Sequence, residues 1–202
     1  MENQKILELI NKNEIEKLKN LVIEELRLEG VKTSTGKTAF KKVANYLKKQ
    51  TQEKRPVLSH CNIINDMQVF TDSYFISLVK AADFNPLITH YTTVFNESAY
   101  PKMDHIVEGI EKKLDTIQVM SYSDLLLMIK EKSVDENKYT HLEFCNKYFD
   151  IKKLEIALLS LNISNKKDTV AIHYNLDKNS AIKIEKDNGS FTIILPIRKY
   201  DI

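Results

Sequence analysis

The first part of the chain alternates apolar and charged positions with the spacing of amphipathic helices. Between residues 3 and 29 the apolar side chains recur three or four positions apart, and residues 11–13 divide them into two predicted helices. The two apolar stripes consist of Ile6, Leu9 and Ile10, and then of Ile15, Leu18, Leu21, Val22 and Leu26. The segment 1–30 is either a helical hairpin packed on the main body or an arm that binds a partner.

The spacing of apolar residues changes after this segment. Residues 37–50 have helical spacing, with an apolar stripe on one side and lysines on the other. From Arg55 onward the pattern alternates loosely and is rich in β-branched residues, with turn-like pairs at 65–66 and 72–73. We therefore predict a helix followed by the antiparallel strands RPVLSHCNIIND, MQVFTD and SYFISLVK.

The middle of the chain, residues 83–140, gives shorter signals. We predict strands at ITHYTTVFN and TIQVM, and an extended loop at AYPKMDHIV. The stretch SYSDLLLMIKEK predicts a helix whose N-cap is Ser121 or Ser123.

The last sixty residues have the clearest pattern. HLEFCN predicts a strand, and Asp150 is the expected N-cap of a helix that begins at Ile151. TVAIHYNL and SAIKIEKD alternate as strands do, and Asn188-Gly189 predicts a hairpin turn into SFTIILPIR. The predicted order is strand, helix, strand, strand, strand.

Residues 37–80 and 141–198 share a helix with outward lysines followed by a three-stranded meander, so they are interpreted as a repeat. Two such units paired edge to edge form one sheet with both helices on one face, which buries both apolar stripes. We predict an α+β fold with a domain at 31–202, built from βαβββ units at about 31–118 and 140–202 and preceded by the helical segment 1–30.

Short motifs on these elements resemble the bacterial-type DNA polymerase sliding clamps, whose domains contain two βαβββ units. RPVLS at 55–59 resembles the clamp stretch R-P-x-L-S, and TDS at 71–73 resembles T-D-G with serine in place of glycine. YPKMDHI at 100–106 resembles a clamp loop, and IILPIR at 193–198 resembles the clamp C-terminus. A bacterial clamp subunit has three such domains and this chain has room for one, which favours a shortened viral or plasmid relative.

The resemblance implies a non-enzymatic, homo-oligomeric ring whose helices present lysines to the backbone of double-stranded DNA without reading its sequence. From the residues alone, two interpretations of the helix lysines have equal support: contact with DNA, and an ordinary helix face exposed to solvent. The candidate DNA-binding residues are Lys37, Lys41, Lys42, Lys48 and Lys49 on the first helix, and Lys152 and Lys153 on the second.

Sliding clamps also have an apolar pocket that receives short peptides from DNA polymerase and other replication proteins. The resemblance assigns Leu195, Pro196 and Ile197 to this pocket. Ordinary packing of the last strand is the alternative interpretation of these three residues.

Composition changes little in this picture. Hydrophobic residues make up 43% of the chain and charged residues 29%, as in ordinary soluble proteins, and a net charge of +2 neither requires nor excludes DNA. The cysteines and histidines form no metal-binding or redox motif, and five residues separate Gly30 from Gly36 where a phosphate-binding P-loop has four. We expect no catalytic residue, no metal and no cofactor.

The opening residues do not resemble a signal peptide, and no stretch approaches the roughly 18 apolar residues of a membrane span. We therefore expect a cytoplasmic protein without a membrane anchor. Three functions stay open: a sliding clamp, a clamp mimic or adaptor that binds replication proteins without encircling DNA, and a DNA-binding regulator.

Overall fold

The computed structural model describes residues 42–43, 45–47, 49, 55–59, 62–64, 67–80, 101–131, 133–136, 139–161, 163 and 167–197. The predicted helical segment 1–30 and the predicted strand ITHYTTVFN lie outside the described residues. Lys37, Lys41 and Lys48 lie outside them as well.

A large antiparallel sheet forms the centre of the described chain. Its strands are β1 Asn62–Ile64, β2 Met67–Thr71, β3 Phe75–Lys80, β4 Thr116–Ser121, β8 Thr169–Tyr174, β9 Ile182–Lys186 and β10 Phe191–Ile194. The strand order is β1-β2-β3-β10-β9-β8-β4. The last strand of each predicted unit, β3 and β10, therefore pair in the middle of the sheet, with Ile193 opposite Ile76.

Three further strands form a small antiparallel sheet, β5 Ser133–Glu136, β6 Tyr139–Phe144 and β7 Lys147–Asp150. The helical residues described within 42–49 are called α1. The other helices are α2 Met103–Glu111, α3 Tyr122–Glu131, α4 Ile151–Ser160 and a 3-10 turn at Pro56–Ser59. The predicted α+β class is confirmed.

Local chemistry explains where several elements begin. The Asp150 carboxylate accepts a hydrogen bond from the Lys153 backbone N–H at 3.1 Å and so caps α4, as predicted. The Ser121 hydroxyl oxygen accepts from the Asp124 N–H at 3.1 Å and caps α3. Gly189 has a φ of +83°, which fits the predicted hairpin turn between β9 and β10.

Helices α1, α3 and α4 cover one face of the large sheet and form the helix layer. Their buried side chains share one apolar core with the sheet. A chain of buried hydroxyl groups crosses this core, with 2.8 Å between Ser160 Oγ and Ser77 Oγ and 2.8 Å between Ser77 Oγ and Thr192 Oγ1. Because polar groups in a core are costly unless paired, these contacts fix the position of α4 over β3 and β10.

Helix α2 covers the opposite face of the large sheet, and the predicted extended loop AYPKMDHIV is therefore wrong from Met103 onward. Met103 and Val107 are buried against Leu58, Val69 and other apolar residues of a second core. The spacing of Met103, Val107 and Ile110 is helical, although the proline at 101 favoured a loop in the sequence.

The small sheet also corrects the predicted order. HLEFCN is a strand as expected, but a second strand, β7, follows it before the helix. Cys145 and Asn146 both have positive φ, at 50° and 59°, which is the geometry of a tight two-residue hairpin turn. Cysteine is unusual in this conformation, so no turn was predicted there.

A candidate DNA-facing helix layer and an apolar pocket

The described lysines of the predicted DNA-binding set lie on two helices of the helix layer. Lys42 and Lys49 of α1 and Lys152 of α4 are exposed. Both helices pack on the same face of the large sheet through one core, so these three lysines belong to one side of the molecule. Exposed lysines are the residue type that contacts a phosphate backbone without selecting a base sequence, although the exposed Glu155 also lies on α4.

Lys153, one position along from Lys152, has a different environment. Its ammonium nitrogen lies 3.0 Å from the centroid of the Tyr74 ring, and the residue is half-buried. Desolvation lowers the pKa of Lys153, although the carboxylates of Asp150 and Asp72 act in the opposite direction. Of the predicted DNA-binding lysines, Lys153 is thus one that already has a partner within the fold.

An apolar pocket of about 440 Å³ lies beside the second core, between α2, the 3-10 turn and the turn that joins β2 to β3. Most of its lining is aliphatic or aromatic, and Arg55 and Ser73 supply polar groups. Its walls include Val57, Leu58, Tyr74, Ile76, Met103, Ile106, Ile110, Ile193 and Leu195. A pocket of this size and polarity suits a few apolar side chains of a ligand.

The three residues that the resemblance assigned to a peptide pocket separate in the structure. Leu195 lines the pocket and is 40% exposed, whereas Pro196 and Ile197 are absent from its walls. The Ile197 N–H instead donates to the Tyr148 carbonyl oxygen at 2.8 Å, which joins the chain end to β7. Strand β10 thus contributes Ile193 to the wall and the next residue but one, Leu195, adds to it, after which the chain leaves the pocket.

The β2–β3 turn, residues 72–74, forms part of the pocket wall and has a dense hydrogen-bond network. Asp72 Oδ1 accepts from the backbone N–H groups of Tyr74 at 2.8 Å and Phe75 at 3.0 Å. Asp72 Oδ2 accepts from the Tyr46 hydroxyl of α1 at 2.6 Å. Burial, and then this hydrogen bond, raise the pKa of Tyr46, so its hydroxyl keeps the proton that it donates.

Ser73 stands at the turn position where the resembled motif has glycine, and its φ of +81° is a conformation that glycine adopts without strain. Two hydrogen bonds hold the residue in this conformation, and one of them involves the serine side chain. The Ser73 N–H donates to Thr71 Oγ1 at 3.0 Å, and the Arg55 guanidinium donates to the Ser73 hydroxyl oxygen.

A charged cluster lies on the sheet face that α2 covers. The Lys183 ammonium is 2.8 Å from Glu111 Oε1 of α2 and 2.9 Å from Glu185 Oε2 of β9. Desolvation opposes the charge on Lys183, but the hydrogen bonds to the two carboxylates outweigh it and raise its pKa. This cluster fastens α2 to the sheet and so helps to fix the pocket's α2 wall.

The described ranges contain no group of three or more histidine, cysteine or acidic residues arranged to hold a metal ion. Within those same ranges, no helix has both the length and the apolar character needed to cross a membrane.

Comparison with solved structures finds chains that are similar to this one, including the two that follow. The first is the crystal structure of the DNA polymerase sliding clamp from Bacillus subtilis, with a TM-score of 0.48 and 14% sequence identity. The second, from Eubacterium rectale, is assigned as a DNA polymerase III beta subunit, with a TM-score of 0.46 and 13% identity.

The matches cover 80% of this chain in both cases, but 63% of the Bacillus subtilis chain and 64% of the Eubacterium rectale chain. The present chain thus spans less than two thirds of the length of either structure. Sequence comparison adds nothing further, because no protein family and no curated protein matches the chain.

The sequence pointed to Leu195 but missed most of the pocket. The walls come from segments far apart in the chain, around residues 55–58, 71–76, 101–110 and 193–195. The available signal was the helical spacing of Met103, Val107 and Ile110, which places an apolar face beside the strand residues. Tyr74 lies in the predicted strand SYFISLVK without an assigned role, and its contact with Lys153 has no sequence signature.

Proposed function

We propose that this protein is a non-enzymatic, clamp-like processivity factor that surrounds double-stranded DNA as an oligomer and binds peptides of a DNA polymerase or other replication proteins. One observation carries the proposal. Strands β3 and β10, which end the three-stranded meanders of the two predicted units, pair in one sheet, and the lysine-bearing helices α1 and α4 pack on the same face of it. We take the exposed lysines of both helices to form one surface that faces DNA.

The exposed residues Lys42, Lys49 and Lys152 support contact with the DNA backbone. Lys37, Lys41 and Lys48 belong to the same proposal by their helical spacing and lie outside the described residues. Contacts of this type release counterions, so DNA affinity falls steeply as salt concentration rises. They carry no base readout, as movement along DNA requires.

The apolar pocket supports the peptide-binding part of the proposal. We take its occupant to be a short linear peptide with two or three apolar side chains, because about 440 Å³ of space is bounded mainly by aliphatic and aromatic residues. Leu195 and Tyr74 are partly exposed at this site, at 40% and 48%, and so are available for contact with a bound peptide.

A single domain of two units does not surround a duplex, so the proposal requires assembly of several copies. Edge strand β4 supports such assembly. Among the described strands it pairs with β8 alone, and Ile117 and Val119 on it are 63% and 64% exposed. An exposed apolar edge strand is a ready surface for pairing with another chain.

Solution mass tests the ring directly, by light scattering over a tenfold range of protein concentration. A closed assembly large enough to surround a duplex is the expected result. A persistent monomer or a simple dimer would contradict the ring. The companion experiment compares closed circular and linear DNA, since an encircling protein stays on the circle and slides off free ends.

The two other functions predict different results in the same experiments. An adaptor binds a polymerase-derived peptide and shows no DNA retention on either circular or linear DNA. A DNA-binding regulator prefers one base sequence over another, and its retention does not depend on whether the DNA is closed.

A further inference from the structure

The β2–β3 turn touches both surfaces described above. On one side Thr71, Ser73 and Tyr74 line the apolar pocket. On the other side α1 holds Asp72 through the Tyr46 hydroxyl, and α4 places Lys153 over the Tyr74 ring. The same turn is therefore in contact with two helices of the helix layer and with the wall of the pocket.

Tyr74 is fixed from two directions. Its carbonyl oxygen accepts from the Leu195 N–H at 2.8 Å and its N–H donates to Asp72 Oδ1, so the backbone position is determined by the sheet and the turn. The residue is 48% exposed, and its ring makes a cation–π contact with the Lys153 ammonium. The orientation of this pocket wall thus depends on Lys153.

We infer that Lys153 is a positioning residue for the apolar pocket, and that it couples the pocket negatively to DNA bound at the helix layer. The coupling rests on the proposed function, whereas the positioning of Tyr74 does not. The ammonium group has one place at a time: over the Tyr74 ring, or against a phosphate that approaches α4. A phosphate that draws it away leaves the Tyr74 ring without its partner, so the pocket binds an apolar ligand more weakly.

The coupling is reciprocal, because two ligands that compete for one side chain reduce each other's affinity by the same factor. Lys152 provides a matched control. It is the preceding residue of α4 and is exposed, and Lys153 rather than Lys152 makes the contact with Tyr74. If positive charge on α4 acts in a general way, replacing either lysine changes the ligand affinity of the pocket equally. If Lys153 positions Tyr74, only the replacement of Lys153 changes that affinity.

The experiment uses the full chain and the neutral apolar dye N-phenyl-1-naphthylamine, whose fluorescence rises in apolar surroundings and whose lack of charge avoids attraction to lysine. Methyl spectra of isoleucine-labelled protein locate the dye through shifts of Ile106 and Ile193 in the pocket wall. Dye affinity is measured for wild type, Lys153→Met, Lys152→Met and Lys153→Arg, with and without a short DNA duplex at low salt.

Lys153→Met is expected to weaken dye binding by about two- to thirtyfold, the range that cation–π energies imply. Lys152→Met leaves the dye affinity unchanged, and Lys153→Arg restores it because a guanidinium stacks on the same ring. The duplex weakens dye binding in wild type and has no effect on it in Lys153→Met.

Equal dye affinities for Lys153→Met and Lys152→Met, or a wild-type protein that takes no dye into this pocket, would overturn the inference. Failure of the proposed function is distinguishable from this result. If wild type binds no duplex and Lys153→Met still loses dye affinity that Lys153→Arg keeps, Lys153 positions Tyr74 and the DNA role is wrong.

Discussion

Lys147 places an ammonium group inside the fold, with 1% of the residue exposed. Its Nζ donates to the backbone carbonyl oxygens of Asn175, at 2.7 Å, and Asp177. Desolvation lowers the pKa of Lys147, and nearby charges offset only part of this effect. The β8–β9 loop is thus organised around a buried cation, which donates to the Asn175 carbonyl and joins the Ser180 N–H and hydroxyl as donors to the Asp177 carbonyl.

Replacement of this cation is expected to destabilise the protein. Lys147→Met leaves the Asn175 carbonyl without this donor, whereas the Asp177 carbonyl keeps those of Ser180, and the loss costs about 1–3 kcal/mol in the free energy of unfolding. The control is Lys178→Met, an exposed residue of the same loop, with an expected change below about 0.5 kcal/mol. Urea unfolding of both variants measures the difference, and equal changes would contradict the structural role of Lys147.

The sign of the pH dependence also follows. Because the folded pKa of Lys147 lies below its ordinary value of 10.5, the unfolded chain binds more protons in the interval between the two. The contribution of Lys147 to stability therefore increases as pH rises through that interval, just below pH 10.5. The Lys147→Met variant is expected to lack this increase.

At the scale of elements, two glycines differ in backbone conformation, one being helical and the other having a positive φ. Gly109 lies inside helix α2, where an added Cβ would meet no other atom within 4 Å, and Gly189 lies in the β9–β10 hairpin with φ of +83°. Alanine favours a helix but is strained at positive φ. The same chemical change is therefore expected to have opposite effects at the two sites.

Gly109→Ala should raise the free energy of unfolding by about 1 kcal/mol, the difference in helix propensity between the two residues. Gly189→Ala should lower it by about 1 kcal/mol, the cost of the left-handed conformation for a residue with a Cβ. Denaturant unfolding of the matched pair tests both signs at once. A stabilising Gly189→Ala would mean that the hairpin does not have the described turn.

How far the sequence predicts each element depends on whether its signal is local. Asp150 and Asn188-Gly189 act on their own neighbours, and the cap and the hairpin were predicted correctly. The first turns of helix α2 were predicted as an extended loop and strand β7 was missed, because Cys145 is not a usual turn residue. The pocket depends on segments that meet only after folding, so Leu195 alone of its walls was assigned from the sequence.

At the scale of the whole molecule, the exposed apolar residues of edge strand β4 provide a test of assembly. The double variant Ile117→Lys/Val119→Lys is expected to raise the dissociation constant of the assembly about tenfold or more, because lysines on an edge strand oppose pairing with another chain. Sedimentation velocity measures this constant. The control is Leu127→Lys, an exposed apolar position on α3, 53% exposed, which should leave assembly unchanged.

Strand β10 lies between β3 and β9, although it is the last strand of the described chain. During synthesis on the ribosome, β3 and β9 emerge before residues 191–194. Neither strand can pair with β10 until those residues have been synthesised. Until then β3 and β9 both have open edges, and the nascent chain is at its most vulnerable to mispairing. A truncated chain that ends before β10 contains β3 and β9 without the strand that pairs with both. The unpaired edges of these two strands would be available for recognition by chaperones and proteases.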